Sequence, residues 1–169
     1  KFIFCDKYNI ISLYKSSLII NHIINKMLFL KICIASDHAG YDLKEKIKDF
    51  LIKKDVSVID LGPFNRNTVD YPDYAKKAAK RVLLKKSDAG ILVCGSGTGM
   101  AIVANKFKGI RAAQCYSKKS TILSRQHNNA NIICLGSRTL KDREALSFVS
   151  FFLKSKFEAG RHQKRIKKI

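Results

Sequence analysis

Ala89-Gly-Ile-Leu-Val-Cys94 runs directly into Gly95-Ser-Gly-Thr-Gly99 and then into Met100-Ala-Ile-Val-Ala104. The short apolar run predicts a strand buried on both faces, and the residues after the glycines predict a helix over 100–106. A buried strand that passes through a glycine turn into a helix is a unit of a parallel sheet. The same alternation continues upstream, where Leu30–Ser36 and Val56–Leu61 are apolar runs. Between them, Leu43, Ile47, Phe50 and Leu51 recur at helical spacing within 41–54. Gly62-Pro63 opens a loop over 62–72, and a helix over 73–86 follows, with Asp73 just after Pro72 near its start. Downstream, strands are predicted over 110–115 and 131–135, and helices from Ser117, a suitable N-cap, to His127 and over 142–154. Five strands alternating with helices predict an α/β fold whose parallel sheet is covered on both faces.

The chain of 169 residues suits one domain, and a hydrophobic content of 46% is enough for a sizeable core, which excludes global disorder. No run of about 18 apolar residues occurs, so neither a spanning helix nor a membrane partner is expected. The five cysteines, at 5, 33, 94, 115 and 134, are odd in number and include no C-x-x-C pair. That usage points to free thiols in a reducing compartment, with the cytoplasm as the expected location, and to no metal site. Residues 1–27 read as an N-terminal extension and 28–169 as the domain, closed by a basic tail. The extension carries four lysines against Asp6 alone, which leaves organelle targeting open, yet it lacks arginine and a small-residue cleavage site. The net charge of +20 is concentrated partly in 154–169, where seven basic residues face Glu158 alone. The remainder is spread as lysines between apolar helical positions, the pattern of a solvated surface.

In a parallel sheet, ligands bind beyond the carboxyl ends of the strands. Ser36-Asp37-His38, the 62–72 loop, Cys94–Gly99 and Gly136-Ser-Arg138 all fall at such ends. Glycines let the backbone of the 95–99 turn approach a ligand, and the following helix offers free N–H groups to an anion. The same field favours the thiolate of Cys94. On spacing alone the turn is an anion-binding or a merely structural one, since it is neither a P-loop nor a clean G-x-G-x-x-G. His38 beside Asp37, and His127 beside Asn128, are candidate acids or bases and equally ordinary capping residues. Arg161 and Arg165, four apart, project from one face if helical and can grip a phosphate; a solvated basic tail is the alternative. Cys115 and Cys134 lie within apolar strands and read as core.

Ala35-Ser-Asp-His-Ala-Gly40, Asp70-Tyr-Pro72, Gly90–Ala101, Ala104-Asn-Lys-Phe107, Gly109-Ile-Arg111, Ser124-Arg-Gln-His-Asn128, Leu135-Gly-Ser-Arg138 and Gly160-Arg-His-Gln163 together resemble ribose-5-phosphate isomerase type B, in a family that includes galactose-6-phosphate isomerase subunits. The likeness covers 28–168. It implies a single-domain three-layer α/β/α sandwich around a five-stranded parallel, Rossmann-like sheet. It also implies a cofactor-free, metal-free enzyme that interconverts ribose 5-phosphate and ribulose 5-phosphate through an enediolate. By motif, Cys94 is the base moving a proton between C2 and C1, assisted by Ser96. His127 is the acid that opens the furanose, and Asp37 bonds the sugar near the ring oxygen. Gly95, Ser96, Gly97, Thr98 and Gly99 offer amides to the oxyanion, with Asn128 nearby. His38, Arg138, Arg161 and Arg165 hold phosphate, and Tyr71 contacts sugar. The resemblance further implies a homodimer or a tetramer with sites shared between subunits. Two departures, Ala159 for a frequent glycine and Val69 for a frequent threonine, remove no proposed functional group.

Three other readings stay open at this level. An isomerase of a six-carbon sugar phosphate, galactose or allose 6-phosphate, would share every motif. A basic nucleic-acid-binding module is prompted by the charge, but the basic residues are not interleaved with aromatics and no recognition motif occurs. A nucleotide-binding protein would need an acidic residue about 20 positions after the glycine turn, where Gln114 to Lys119 stand instead.

Overall fold

The computed structural model describes residues 30–169. The extension 1–27, its targeting alternative and Cys5 lie outside the described residues. Five strands, β1 (Lys31–Ser36), β2 (Ser57–Asp60), β3 (Ala89–Cys94), β4 (Ala112–Gln114) and β5 (Ile132–Gly136), form one parallel sheet in the order β2-β1-β3-β5-β4. Six helices complete it: α1 (Tyr41–Ile52), α2 (Tyr71–Leu83), α3 (Thr98–Ala104), α4 (Lys118–Gln126), α5 (Asp142–Lys154) and α6 (Gly160–Ile166). Among the described residues, no helix is long and apolar enough to cross a membrane.

Both faces of the sheet are dry, which explains why the strands read as continuous apolar runs. Successive side chains point to opposite faces. Ile32, Ile34, Ile91, Val93, Ile133 and Leu135 pack under α1 and α5, against Leu43, Ile47, Leu51, Phe148, Val149 and Phe152. Cys33, Ala35, Leu92, Cys94, Ile132 and Cys134 pack under α2 and α3, against Ala75, Ala78, Ala79, Val82, Met100 and Ala104. The small residues of α2 let that helix lie close to the sheet.

Several boundaries differ from those read in the sequence, each for a local reason. The second helix begins at Tyr71 with Asp70 at its N-cap and Pro72 inside the first turn, where proline loses no bond. It stops at Leu83, because Lys85 takes a left-handed φ of 53°. The strand expected over 110–115 shrinks to 112–114, and at its start the Arg111 N–H donates to the Asn131 side chain. Ser117 caps α4 as expected, in a reciprocal capping box with Ser120. The helix that Arg161 and Arg165 require is present as α6.

One lysine departs from the solvated pattern. Lys44 is fully buried, with Nζ 2.6 Å from Glu45 Oε1 and 2.7 Å from Asp60 Oδ2. Asp60 also accepts the Gly62 N–H at 2.9 Å. The network thus anchors the loop after β2, with Lys44 shared between two carboxylates and Asp60 also paired with Lys48 at 3.1 Å.

Candidate active site

The direction of winding reverses between β1 and β3, where one crossover leads to β2 on one side and the chain then returns to β3 on the other. The crevice beyond the carboxyl ends of those two strands is the place this architecture leaves open to a ligand. Asp37 and His38 leave β1 there, and Cys94 ends β3 beside them. The loops are tied together by backbone bonds: Asp37 N–H donates to Val93 O at 3.2 Å, and Ser36 N–H donates to Gly62 O at 3.0 Å.

The Cys94 sulfur, on a residue 5% exposed, accepts the N–H of Gly97 at 3.1 Å. Gly97 is the N-cap of α3 at φ 82°, a left-handed conformation that a side chain would strain. Ser96 Oγ accepts the Thr98 N–H at 3.3 Å. The amides of 97 and 98 thus bond the Cys94 sulfur and the Ser96 hydroxyl. Arg138 follows β5 and donates its N–H to Gly95 O at 2.9 Å. Its guanidinium lies over Gly95, where a Cβ would sit 3.2 Å from Nη1. The Tyr71 ring lies closer still over Gly99, where a Cβ would sit 2.8 Å from a ring carbon. Asp37 Oδ1 accepts the Gly40 N–H at 2.8 Å, and His38 Nδ1 is held 3.1 Å from Val69 O. Asp37, His38, Tyr71, Cys94, Gly95 to Gly99 and Arg138 thus share one crevice.

His127, Asn128, Arg161 and Arg165 do not join them within the chain. His127 is the C-cap of α4 and precedes β5, which begins at Ile132. Cys94 pairs with Gly136 at the far end of that strand. Four steps of about 3.3 Å put at least about 13 Å of sheet between the two ends. At the amino end, His127 stacks on His162 of α6, and Glu158 N–H donates to Gln126 O at 3.0 Å. Arg111 holds the turn by donating from Nε to Asn128 O and Asn129 O, each at 3.0 Å. Arg161 and Arg165 are exposed on α6.

The other described cysteines are chemically quiet. Burial pushes the Cys33 thiol up to about 11, and it raises those of Cys115 and Cys134 as well. Gln114 went unread as a site residue, yet its Nε2 donates to Ser96 O at 3.0 Å and to Thr98 Oγ1 at 2.9 Å, bracing the turn from β4. Ser137 is a second such brace, donating to Ala39 O at 2.8 Å. Both need the strand order to be seen. His162, within the quoted Gly160-Arg-His-Gln163, and Glu158 carry no sequence signal of a site role of their own.

The sequence profile of the family described as Ribose/Galactose Isomerase matches residues 32–169. Ribose-5-phosphate isomerase B of Escherichia coli is 43% identical over 139 residues, which are 82% of this chain and 93% of that protein. The crystal structure of a ribose 5-phosphate isomerase from Thermotoga maritima superposes with a TM-score of 0.82 at 48% identity, covering 83% of this chain and 97% of the other. The Mycoplasma genitalium ribose-5-phosphate isomerase B, solved with bound ribulose-5-phosphate, superposes at 0.80 with 47% identity, over 83% and 93% of the two chains. A profile match across nearly the whole described domain, with relatives of this identity, establishes that the chain belongs to the ribose/galactose isomerase family.

Proposed function

We propose that this chain interconverts ribose 5-phosphate and ribulose 5-phosphate, with each active site completed by a second copy of the chain. The observation that carries the reading is the Cys94 sulfur in the mouth of an amide-lined turn, at 3.1 Å from the Gly97 N–H. A proton-abstracting group beside preorganised donors is what an enediolate intermediate requires. The relative crystallised with ribulose-5-phosphate supports the choice of sugar.

In this mechanism His127 of one copy protonates the furanose ring oxygen as the C1–O4 bond breaks, and Asp37 of the other copy holds the sugar by a hydrogen bond near that oxygen. The Cys94 thiolate then removes the proton from C2, and the electron pair of that C–H bond forms the C1=C2 double bond. Negative charge develops on O1, where the amides of Gly95 to Gly99 and the Asn128 side chain stabilise it. Ser96 relays the O2 proton to O1. The Cys94 thiol returns its proton to C1, leaving the carbonyl at C2. His38 and Arg138 from one copy and Arg161 and Arg165 from the other grip the phosphate, and Tyr71 flanks the sugar. Binding energy at the phosphate holds the reacting carbons over the sulfur. A diffuse positive charge draws the anionic substrate in. Four described cysteines, all free, fit a reducing compartment such as the cytoplasm.

The test is turnover by the purified full chain in the presence of a chelator, with ribose 5-phosphate, galactose 6-phosphate and allose 6-phosphate compared side by side. The expected result is the highest kcat/KM for ribose 5-phosphate. A clear preference for a six-carbon substrate would reassign the sugar, and no isomerisation of any of the three would overturn the proposal.

A further inference from the structure

The mechanism leaves two groups beside His127 without a task. The His162 ring, 6% exposed, lies flat on the His127 ring with centroids 4.1 Å apart and planes 8° from parallel. Glu158 Oε2 sits 3.7 Å from His127 Nε2 and 3.9 Å from His162 Nε2. Three potential metal ligands within 4.8 Å of one another invite a metal reading. The geometry opposes it. An imidazole binds a metal along the in-plane lone pair of its nitrogen, and two rings stacked face to face send those lone pairs side by side rather than to a common point. Binding an ion there would break the stack.

What the stack does is fix a plane. His127 follows the last turn of α4 and its side chain is one-third exposed, so an unsupported ring would be free to rotate at the helix end. A general acid contributes only when its proton is aimed. His162 is suited to hold it because His162 is itself held. It is buried on α6, and Arg161 Nε lies 3.4 Å from its Nε2, donating to that nitrogen. The segment entering α6 is pinned to the residue before His127 by the Glu158–Gln126 backbone bond. Burial lowers the His162 pKa below the usual histidine value, and His127, Arg161 and Arg165 lower it further against the opposing pull of Glu158. A neutral ring is the better platform, since two charged rings at this separation would repel.

We infer that His162 is a positioning residue for ring opening: its buried ring is the platform that aims the imidazole of His127, with Glu158 on the shared edge. The inference rests on the isomerase reading above. The step it serves breaks the C1–O4 bond, whose electron pair passes to O4 as O4 takes the His127 proton. The anomeric hydroxyl releases its proton to water as the C1 carbonyl forms. Proton transfer between C2 and C1 by Cys94 does not need the platform.

That separation supplies the test. His162→Ala and His162→Phe are compared with the wild-type chain for turnover of ribose 5-phosphate and for deuterium wash-in at C1 of ribulose 5-phosphate, which is an open-chain sugar. With the platform removed, His162→Ala is expected to lose about 10- to 100-fold in ribose 5-phosphate turnover while its wash-in stays within about threefold. The flat ring of His162→Phe should recover most of the lost turnover. Should the alanine variant fail to fold by thermal melt, His162→Leu, similar in bulk but not flat, takes its place. Equal losses in both assays, full turnover in the alanine or leucine variant, or a phenylalanine variant no better than either would overturn the inference. A wild-type chain inert in both assays would instead overturn the isomerase reading itself.

Discussion

Cys94 differs from Cys33 and Cys115 in the sense of its hydrogen bond: its sulfur accepts the Gly97 N–H, whereas theirs donate to carbonyl or hydroxyl oxygens. Replacing it should therefore remove chemistry and leave packing nearly intact. Cys94→Ala is expected to lower kcat for ribose 5-phosphate by about 10²- to 10⁴-fold, the contribution of a positioned base, with little change in Tm. Wild-type turnover in a folded Cys94→Ala protein would remove the sulfur from the mechanism. The sequence made this residue legible because strand, glycine turn and helix are contiguous, so the sulfur's place at a strand's carboxyl end follows from local pattern. Gln114 was not legible by the same route. Its grip on Ser96 and Thr98 depends on β4 lying beside β5 rather than on anything near position 114. His162 was hidden for another reason: a histidine between two arginines in a basic segment reads as surface, and only packing of α6 against the end of α4 buries it.

At the scale of elements, the 95–99 turn and α6 carry separate predictions. Gly97 is left-handed, and a Cβ there would lie 3.0 Å from the Leu135 carbonyl carbon. Gly97→Ala should cost about 1–3 kcal/mol in stability from backbone strain and shift the amides that face the sulfur. Chemical denaturation and kcat should fall together; a variant with unchanged kcat would show that the turn's amides do not face the reacting atoms. For α6 and β2 the readout is pH. A histidine whose folded pKa lies below the ordinary value of 6.5 binds its proton more weakly in the fold than in the unfolded chain. The stability it contributes is complete above about 6.5 and declines as pH falls towards the folded value. Asp60 is also lowered, from 3.8. Burial opposes its charge, but Lys44, the Gly62 N–H and Lys48 outweigh that cost, so its contribution is lost only under stronger acid. Tm should thus fall in two stages on acidification, and His162→Phe should flatten the first, which sets in below about pH 6.5, while leaving the second. An identical first stage in that variant would assign the titration elsewhere. Helix α5 and the Ser117 cap were readable to the residue, because amphipathic period and capping chemistry are local. Lys44 was not, since its burial depends on Asp60 arriving from the neighbouring strand.

At the scale of the molecule, one sheet separates the proposed base from the proposed acid. Cys94 and His127 sit at opposite ends of paired parallel strands, so no rotamer or loop adjustment within a chain can bring them to one sugar. If both act on the same substrate, a second copy must supply one of them. That requirement can be tested without knowing the interface. Cys94→Ala and His127→Ala chains are each expected to be inactive alone. Co-expressed, they should assemble into mixed pairs in which one site has lost both groups and the other has lost neither. Random pairing makes half the pairs mixed, with one intact site of two, so activity should recover to about a quarter of wild type. Mixed pairs verified by native mass spectrometry yet devoid of turnover would show that the two groups do not meet across subunits. Recovery near a quarter would also account for the placement of Arg161 and Arg165 on the same end as His127, since a phosphate gripped from both copies fixes the sugar across the seam where the chemistry occurs.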